Sequence, residues 1–364
     1  MALFLTLMII LGLCLISTLA ELQRLEHSPN ADGSLSFLVV GDWGRKGAHN
    51  QSEVAHQMGR VGSKLNINFV ISTGDNFYEE GLKGVEDTAF EESFTKIYTD
   101  KSLQKQWYSV LGNHDYMGDA EAELSSNLTL KDTRWLCLRS YIVNAKIAEF
   151  FFIDTTPFAD EYFTIDPSED QVFDWRGVLP RKNYTSNLLK DVESALRASA
   201  AKWKIVIGHH PIRSFGTHGD TQELVEQLLP ILQANNVDMY MNGHDHCLMR
   251  ISSPVSPIQF LTSGAGSEAW ICDAVLNRDG VKFHYPGQGF ISVEMTQTHA
   301  KVVFYDVFGK VLHSWSASKK LLHSSWVSNL LLSCNLTIWL LLLLVDSSNP
   351  QPGVLKLLLK SMGL

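Results

Sequence analysis

The stretch SFLVVGDWG, residues 36–44, is an apolar run that ends in a polar turn, and NFVISTGDNFY, residues 68–78, repeats this arrangement. Between them, QSEVAHQMGRVGSKL (residues 51–65) carries apolar side chains at helical spacing from Val54 to Leu65. A strand, an amphipathic helix and a second strand in this order predict two parallel strands joined by a crossover helix. This part of the chain therefore predicts an α/β fold.

Three later apolar runs end in the same way. WYSVL precedes GNHD (residues 107–115), KIVI precedes GHHP (204–211), and VDMYM precedes NGHDH (237–246). Ligand sites in open α/β sheets lie at the carboxyl ends of the strands. All five polar loops lie at such ends, so we expect one functional site at which they meet.

The segments around these loops complete the predicted architecture. Residues 139–155 and 289–307 each predict a hairpin-like pair of strands, and residues 186–200 and 219–234 predict helices. We therefore expect two packed β-sheets with helices outside them, in a single catalytic domain over residues 33–318.

The charge of the chain argues against binding to nucleic acid. The 364 residues contain 30 Lys+Arg and 39 Asp+Glu, which gives a formal net charge of −9, and no long basic run occurs. A nucleic-acid surface needs clustered basic side chains to neutralise phosphates. A small anionic substrate would instead need local positive charge from a metal ion or from helix N-termini.

The N-terminus predicts entry into the secretory pathway. Residues 1–20 are almost wholly apolar and end in small residues, which is typical of a signal peptide cut before Glu21. The segment has no Lys or Arg, so an uncleaved N-terminal anchor is the alternative. Four N-x-S/T sequons agree with a secreted, extracellular or vacuolar glycoprotein, and they lie at Asn50, Asn127, Asn183 and Asn335.

The cysteines do not indicate a metal site. Cys14 belongs to the predicted signal peptide, which leaves Cys137, Cys247, Cys272 and Cys334. These four allow three complete pairings or any single disulfide, and the sequence does not choose among them. Their spacing matches no zinc ribbon or finger, so we interpret them as structural.

The C-terminal residues 319–364 form an atypical hydrophobic tail. Residues 326–345 are nearly long enough to span a bilayer and follow the basic Lys319 and Lys320, but several polar residues interrupt them. Three interpretations stay open: a membrane anchor, a lipid-anchor signal, and a non-native extension from a misassembled gene. The first of them gives membrane association through residues 326–345.

The five loops together carry a set of metal-type ligands. The stretch MNGHDHC, residues 241–247, places two histidines one residue apart, which alone is typical of either a turn or a metal site. The loops supply three imidazoles, two carboxylates, one phenol and one amide oxygen, from Asp42, Asp75, Tyr78, Asn113, His209, His244 and His246. Seven mixed donors suit two ions, and two ions about 3.5–4 Å apart need a shared carboxylate. Asp75 is the expected bridge.

The ordered set GDWG, GDNFY, GNHD, VIGHH and GHDH resembles the five signature blocks of the purple acid phosphatases, a branch of the calcineurin-like metallophosphoesterases. The resemblance covers most of residues 36–315, and the spacing is similar to that of the low-molecular-weight, tartrate-resistant type. It implies a four-layer sandwich with two mixed sheets flanked by helices. It also implies a secreted acid phosphatase that hydrolyses small phosphate monoesters. The implied centre holds Fe(III) and a divalent Fe, Zn or Mn ion, with a metal-activated hydroxide as nucleophile.

The same resemblance implies a role for each loop residue. It implies a ferric site ligated by Asp42, Tyr78 and His246, a divalent site ligated by Asn113, His209 and His244, and Asp75 as the bridge between them. His114 and His218 match positions that contact the substrate phosphate or protonate the leaving group. The alternative for both is a solvated loop histidine. His210 matches no family role, and we expect it to support the ligands.

Three other functions compete with this interpretation. Protein phosphatases and phosphodiesterases of the same superfamily begin with Asp-x-His, whereas this chain has Gly44 at that position and gains Tyr78. A non-catalytic binding protein on the same scaffold is disfavoured because all five blocks keep their ligands. Peroxidase-like redox activity at the same centre is the remaining alternative.

Overall fold

The computed structural model describes residues 22–164, 172–253, 256–270 and 280–320. The strands of these residues are β1 Gln23–Glu26, β2 Leu35–Val40, β3 Phe69–Ser72, β4 Gln106–Ser109, β5 Trp135–Cys137, β6 Tyr141–Asn144, β7 Ala148–Phe152, β8 Trp203–Ile207, β9 Met239–Asn242, β10 Leu248–Ser253, β11 Ser256–Ser263, β12 Val281–Tyr285, β13 Gly289–Met295, β14 His299–Asp306 and β15 Val311–Ser318. The α-helices are α1 Gln51–Leu65, α2 Asn113–Met117, α3 Ala120–Glu123, α4 Ser126–Lys131, α5 Arg181–Ala198, α6 Gln222–Gln227 and α7 Leu229–Ala234.

The strands form two mixed sheets. The eight-stranded sheet has the order β1-β6-β7-β8-β9-β11-β10-β12, and the seven-stranded sheet has the order β15-β14-β13-β2-β3-β4-β5. Strands β2, β3, β4 and β5 run parallel, as do β7, β8, β9 and β11. The loops that follow β2, β3, β4, β8 and β9 therefore leave parallel strands, as the sequence predicts.

Three layers of apolar packing hold the sheets and helices together. In β2, Phe37 and Val39 face the layer between the two sheets, whereas Leu38 and Val40 face the layer under α1. The alternation follows from the period of two in a strand, and all four side chains are buried because both faces of the sheet are covered. A third layer joins the eight-stranded sheet to α5, α6 and α7. The predicted arrangement of two mixed sheets flanked by helices is confirmed.

The predicted helices follow the sequence pattern with two differences: α5, Arg181–Ala198, begins before the predicted residues 186–200, and one predicted helix is divided. Helix α1 has the predicted bounds, and its buried stripe includes Val54, Met58 and Val61. The single helix predicted over residues 219–234 is instead two helices, α6 and α7, which meet at Leu228. Pro230 explains the break because proline has no N–H to donate and its ring crowds the preceding turn.

The described region begins at residue 22 and ends at residue 320. Strand β1 precedes residue 33 and pairs with β6, and the first of two compact units ends at Lys319, just after β15. The predicted signal peptide, the tail segment 326–345, Cys272 and Cys334 lie outside the described residues. Among the residues described, no helix is long and apolar enough to cross a membrane.

Candidate metal centre

The five polar loops meet at one edge of the sandwich. The loops after β2, β3 and β4 come from the seven-stranded sheet, and those after β8 and β9 come from the eight-stranded sheet. Six of the seven predicted ligands lie in these loops, and Asn113 is the first residue of α2, directly after one of them. Six of the seven are buried and Tyr78 is partly buried. Residues far apart in sequence therefore converge because parallel strands deliver their loops to the same edge.

One group of donors gathers around the phenol of Tyr78. Its hydroxyl lies 3.2 Å from Asp42 Oδ1, 2.9 Å from Asp75 Oδ2 and 3.1 Å from His246 Nε2. Asp42, Asp75 and His246 each offer a ligand atom, and these three atoms lie within 4.8 Å of one another. The group therefore places three oxygen atoms and one nitrogen atom, all of which can bind a metal ion, close together.

A second group gathers around His209. Its Nε2 lies 3.0 Å from Asn113 Oδ1, 3.2 Å from His244 Nδ1 and 3.5 Å from Asp75 Oδ1. Asp75 thus turns one carboxylate oxygen towards each group. This is the placement that a carboxylate shared by two cations requires.

The hydrogen bonds of His209 test whether the second group fits a cation. Its Nδ1 lies 2.9 Å from the carbonyl oxygen of Thr73, which can only accept, so the proton is on Nδ1 and Nε2 carries a lone pair. That lone pair faces the amide oxygen of Asn113, another acceptor. Two acceptors that face each other in a buried site repel unless a cation lies between them, so this donor set fits a metal ion.

Burial also shapes the charges of the centre. It lowers the pKa of His209 and of His244, and it lowers the pKa of His246 to about 3. Burial thus favours the neutral imidazole, which is the form that binds a metal. Burial and the neighbouring charge of Asp75 raise the pKa of Asp42 well above its ordinary value. Cations would offset the cost of holding these carboxylates together.

The first ligand loop leaves no room for a histidine two residues after Asp42. A Cβ atom at Gly44 would lie 1.9 Å from the carbonyl oxygen of Asn76, so glycine is required at this close approach. The Asp-x-His pattern of the competing phosphatases therefore cannot be accommodated with the loop in this conformation. The phenol of Tyr78 supplies a donor beside Asp42 instead.

Asp115 lies beneath the centre and was not among the predicted site residues. Its carboxylate accepts hydrogen bonds from the backbone N–H groups of Gly112 at 2.7 Å, Asn76 at 2.8 Å and Phe77 at 3.2 Å. These donors belong to two different ligand loops. Asp115 therefore ties the loop of Asp75 to the loop of Asn113, which the GNHD motif alone did not indicate.

We expect Asp115→Asn to lower the free energy of unfolding by about 3 kcal/mol, because the new amide group would face N–H donors with a donor of its own. Urea denaturation in the presence of a chelator measures this without a contribution from bound metal. Glu91→Gln is the control, since Glu91 is exposed and pairs only with Lys96 among the ion pairs described. Equal stability of both variants would show that Asp115 does not hold the loops.

The other predicted histidines lie beside the ligands. His114 places its ring 4.5 Å from that of Tyr78 and its side chain is 25% exposed. Its Nδ1 faces the carbonyl oxygen of Glu79, so Nδ1 carries a proton and Nε2 is left to face the centre, 3.9 Å from Asp75 Oδ2. His218 packs its ring 4.0 Å from that of His244.

His210 belongs to the histidine cluster but has other partners. It can share a cation with His209 and His244 on distance alone. Its two ring nitrogens, however, face the hydroxyls of Thr155 at 3.2 Å and Tyr162 at 2.9 Å. These hydrogen bonds engage both ring nitrogens, which is consistent with the expectation that His210 supports the ligands and does not bind the metal.

Two further residues line the centre and carry no motif in the sequence. Trp270 stacks on His246 with ring centroids 4.0 Å apart and lies 5.4 Å from the ring of His218. Arg45 lies over the ring of Tyr78. Isolated tryptophan and arginine residues give no periodic or spacing signal, so only the fold reveals them.

The chain is similar to proteins of known family. The sequence profile described as calcineurin-like phosphoesterase matches residues 35–248. Purple acid phosphatase 17 of Arabidopsis thaliana is 57% identical over 321 residues, which cover 86% of this chain and 94% of that protein. The chain belongs to the purple acid phosphatase family. Human tartrate-resistant acid phosphatase type 5 is 30% identical over 81% of this chain and 95% of its own length.

Membership in the family gives the reaction. This purple acid phosphatase hydrolyses phosphate monoesters and uses a dinuclear metal centre. Among solved structures, GAP50 of Plasmodium matches with a TM-score of 0.66 and 23% identity, over 79% of this chain and 90% of that chain. At that identity the likeness shows the fold alone.

Proposed function

We propose that this purple acid phosphatase is a secreted enzyme that cleaves small phosphate monoesters with Fe(III) and a divalent Fe, Zn or Mn ion. Two sets of ligands would hold the ions. The ferric set is Asp42, Tyr78 and His246, the divalent set is Asn113, His209 and His244, and Asp75 is shared. When bound, the two cations supply positive charge for the phosphate dianion and make water more acidic.

The position of the Tyr78 hydroxyl carries this proposal. It lies within 3.2 Å of donor atoms from Asp42, Asp75 and His246. Burial, followed by the charges of Asp42 and Asp75, raises the pKa of this phenol well above its ordinary value. An ion must therefore be highly charged to bind the phenolate, and a hard trivalent ion meets this need better than a divalent one.

The histidines beside the ligands supply contacts for the ester. Since Nδ1 of His114 donates to a carbonyl, its Nε2 is the atom that can meet the phosphate or the leaving oxygen. When protonated, that nitrogen donates a proton to the departing alcohol, as general acid catalysis requires. His218 borders the divalent side through its contact with His244, and we assign it the same class of role.

Secretion is supported by the predicted signal peptide and by the surface positions of the sequons. Asn50, Asn127 and Asn183 are exposed, so each is accessible to glycan attachment. Because the net charge of the chain is −9, the bound cations would be the main attraction for an anionic ester.

One experiment tests the metal and the compartment together. We expect eukaryotic cells that express the full chain to release into the medium a coloured protein whose mass falls on glycosidase treatment. It should contain one iron and one further divalent ion per chain and hydrolyse a small aryl phosphate in mildly acidic buffer.

Removal of the metals is the second arm of this experiment. A strong chelator with a reductant should abolish both the activity and the colour, and added iron with zinc should restore them. Activity that survives metal removal would contradict the dinuclear mechanism. Two divalent ions without iron would contradict the ferric assignment but leave the phosphatase intact.

A further inference from the structure

Arg45 lies against the face of Tyr78. The central carbon of its guanidinium is 3.9 Å from the centroid of the phenol ring. The side chain of Arg45 is only 7% exposed, so water screens this contact weakly. A guanidinium has no lone pair to offer a metal, so Arg45 can influence the centre only through its charge and its contacts.

Two acidic residues hold Arg45 in this position. One nitrogen of the guanidinium forms an ion pair with Glu79, and Nη2 lies 3.0 Å from Glu268 Oε2. The backbone joins the same loops, because Tyr78 N–H donates to the carbonyl oxygen of Gly44 at 2.9 Å. Arg45 therefore links three segments of the chain, and two ion pairs hold its guanidinium against the ring of Tyr78.

We propose that Arg45 is a positioning residue for the tyrosine ligand. Arg45 fixes the Tyr78 ring and sets the energy of the charge transfer from that ring to iron. The inference rests on the proposed ferric site. It adds to that site a residue that binds neither the metal nor the ester.

The sign of the effect follows from Coulomb's law. The absorption that colours a ferric phenolate moves an electron from the ring to the metal. A positive charge 3.9 Å from the ring stabilises the electron before it moves, so the transition needs more energy. Removal of the charge should therefore move the band to longer wavelength. Removal of the opposing charge of Glu268 should move it to shorter wavelength.

The test compares visible spectra of four iron-loaded variants. We expect Arg45→Met to shift the band to longer wavelength, Arg45→Lys to restore most of its position, and Glu268→Gln to give a smaller shift the other way. Lys46→Met is the matched control, because Lys46 is the neighbouring cation and pairs with Glu92 at 3.0 Å. That variant should keep the wild-type band and activity.

Kinetics separate positioning from substrate binding. Arg45→Met should lower kcat by roughly tenfold or less and leave KM nearly unchanged, since the lost contact is to a ligand. A large rise in KM with an unmoved band would show that Arg45 binds the ester, and would overturn the inference. In Glu268→Gln the ion pair with Glu79 and the new amide oxygen should still hold the guanidinium in place. Shifts of the same sign in Arg45→Met and Glu268→Gln would therefore overturn the inference as well.

The outcomes also distinguish this inference from the proposed function. A wild-type protein without colour or iron would refute the ferric site itself. A coloured wild type whose band is identical in Arg45→Met would leave the ferric site in place and refute the role of Arg45.

Discussion

His209→Ala should lose the divalent ion and lower kcat by roughly 10³-fold. We expect an effect of this size because Nε2 of His209 lies close to atoms of Asn113, His244 and Asp75 and directs its lone pair towards them. Elemental analysis of the purified variant, together with kcat for an aryl phosphate, measures both effects. Asn113→Ala should behave in the same way, since the two residues belong to the same proposed ligand set and lie 3.0 Å apart.

His114→Ala is the matched control for that experiment. It removes an imidazole that lies beside the centre, with its Nε2 3.9 Å from Asp75. We expect this variant to keep both metals and to lose rate, because its proposed contact is with the ester. Loss of metal in His114→Ala would instead make it a ligand, and full metal content in His209→Ala would remove His209 from the ligand set.

Tyr78→Phe should abolish the colour of the protein. A phenylalanine keeps the packed ring and removes only the oxygen that lies among Asp42, Asp75 and His246. Part of the activity should remain, since the proposed role of the phenolate is to bind the metal and not to attack phosphorus. Visible spectra of the wild type and the variant, recorded with iron content, measure the effect.

Two results would contradict the role of Tyr78. Undiminished colour in Tyr78→Phe would place the chromophore elsewhere, and a colourless wild type that is fully loaded with iron would show that the phenol is not a ligand. Tyr78 would then be an ordinary packed aromatic residue, and the ferric site would have to consist of the remaining donors.

Among the strands, those buried on both faces are the most directly predictable from sequence. Strands such as β2 and β8 consist mostly of apolar residues, LSFLVV and WKIVI, because sheet and helices cover them from both sides. Edge strands cannot be predicted from an apolar run. Strand β1, QRLE, is largely exposed and gains its extended form from pairing with β6, and β12 is only half-buried. Their structure comes from neighbours that a local pattern does not contain.

The residues of the candidate site also fall into those that the sequence predicts and those that it does not. Ligand loops were predictable because each places short-range motifs directly after a strand, and the topology then brings Asp42 and His246 together. The residues that support the predicted ligands could not be predicted from sequence. Asp115 was part of a recognised motif, yet its bonds to a second loop depend on tertiary structure, and Arg45 meets Glu268 from a distant part of the chain.

The edge at which the loops meet also joins the two sheets. The proposed ferric site links Asp42 and Tyr78 of the seven-stranded sheet to His246 of the other sheet, and the divalent site links Asn113 to His209 in the same way. Each ion would thus add a cross-link between two sheets that already adhere through apolar side chains and hydrogen bonds such as that of His209 with Thr73. By mass action, a free metal concentration 100-fold above its dissociation constant adds about 2.7 kcal/mol to the free energy of unfolding. Metal supply would therefore govern how long the folded enzyme survives as well as how fast it turns over.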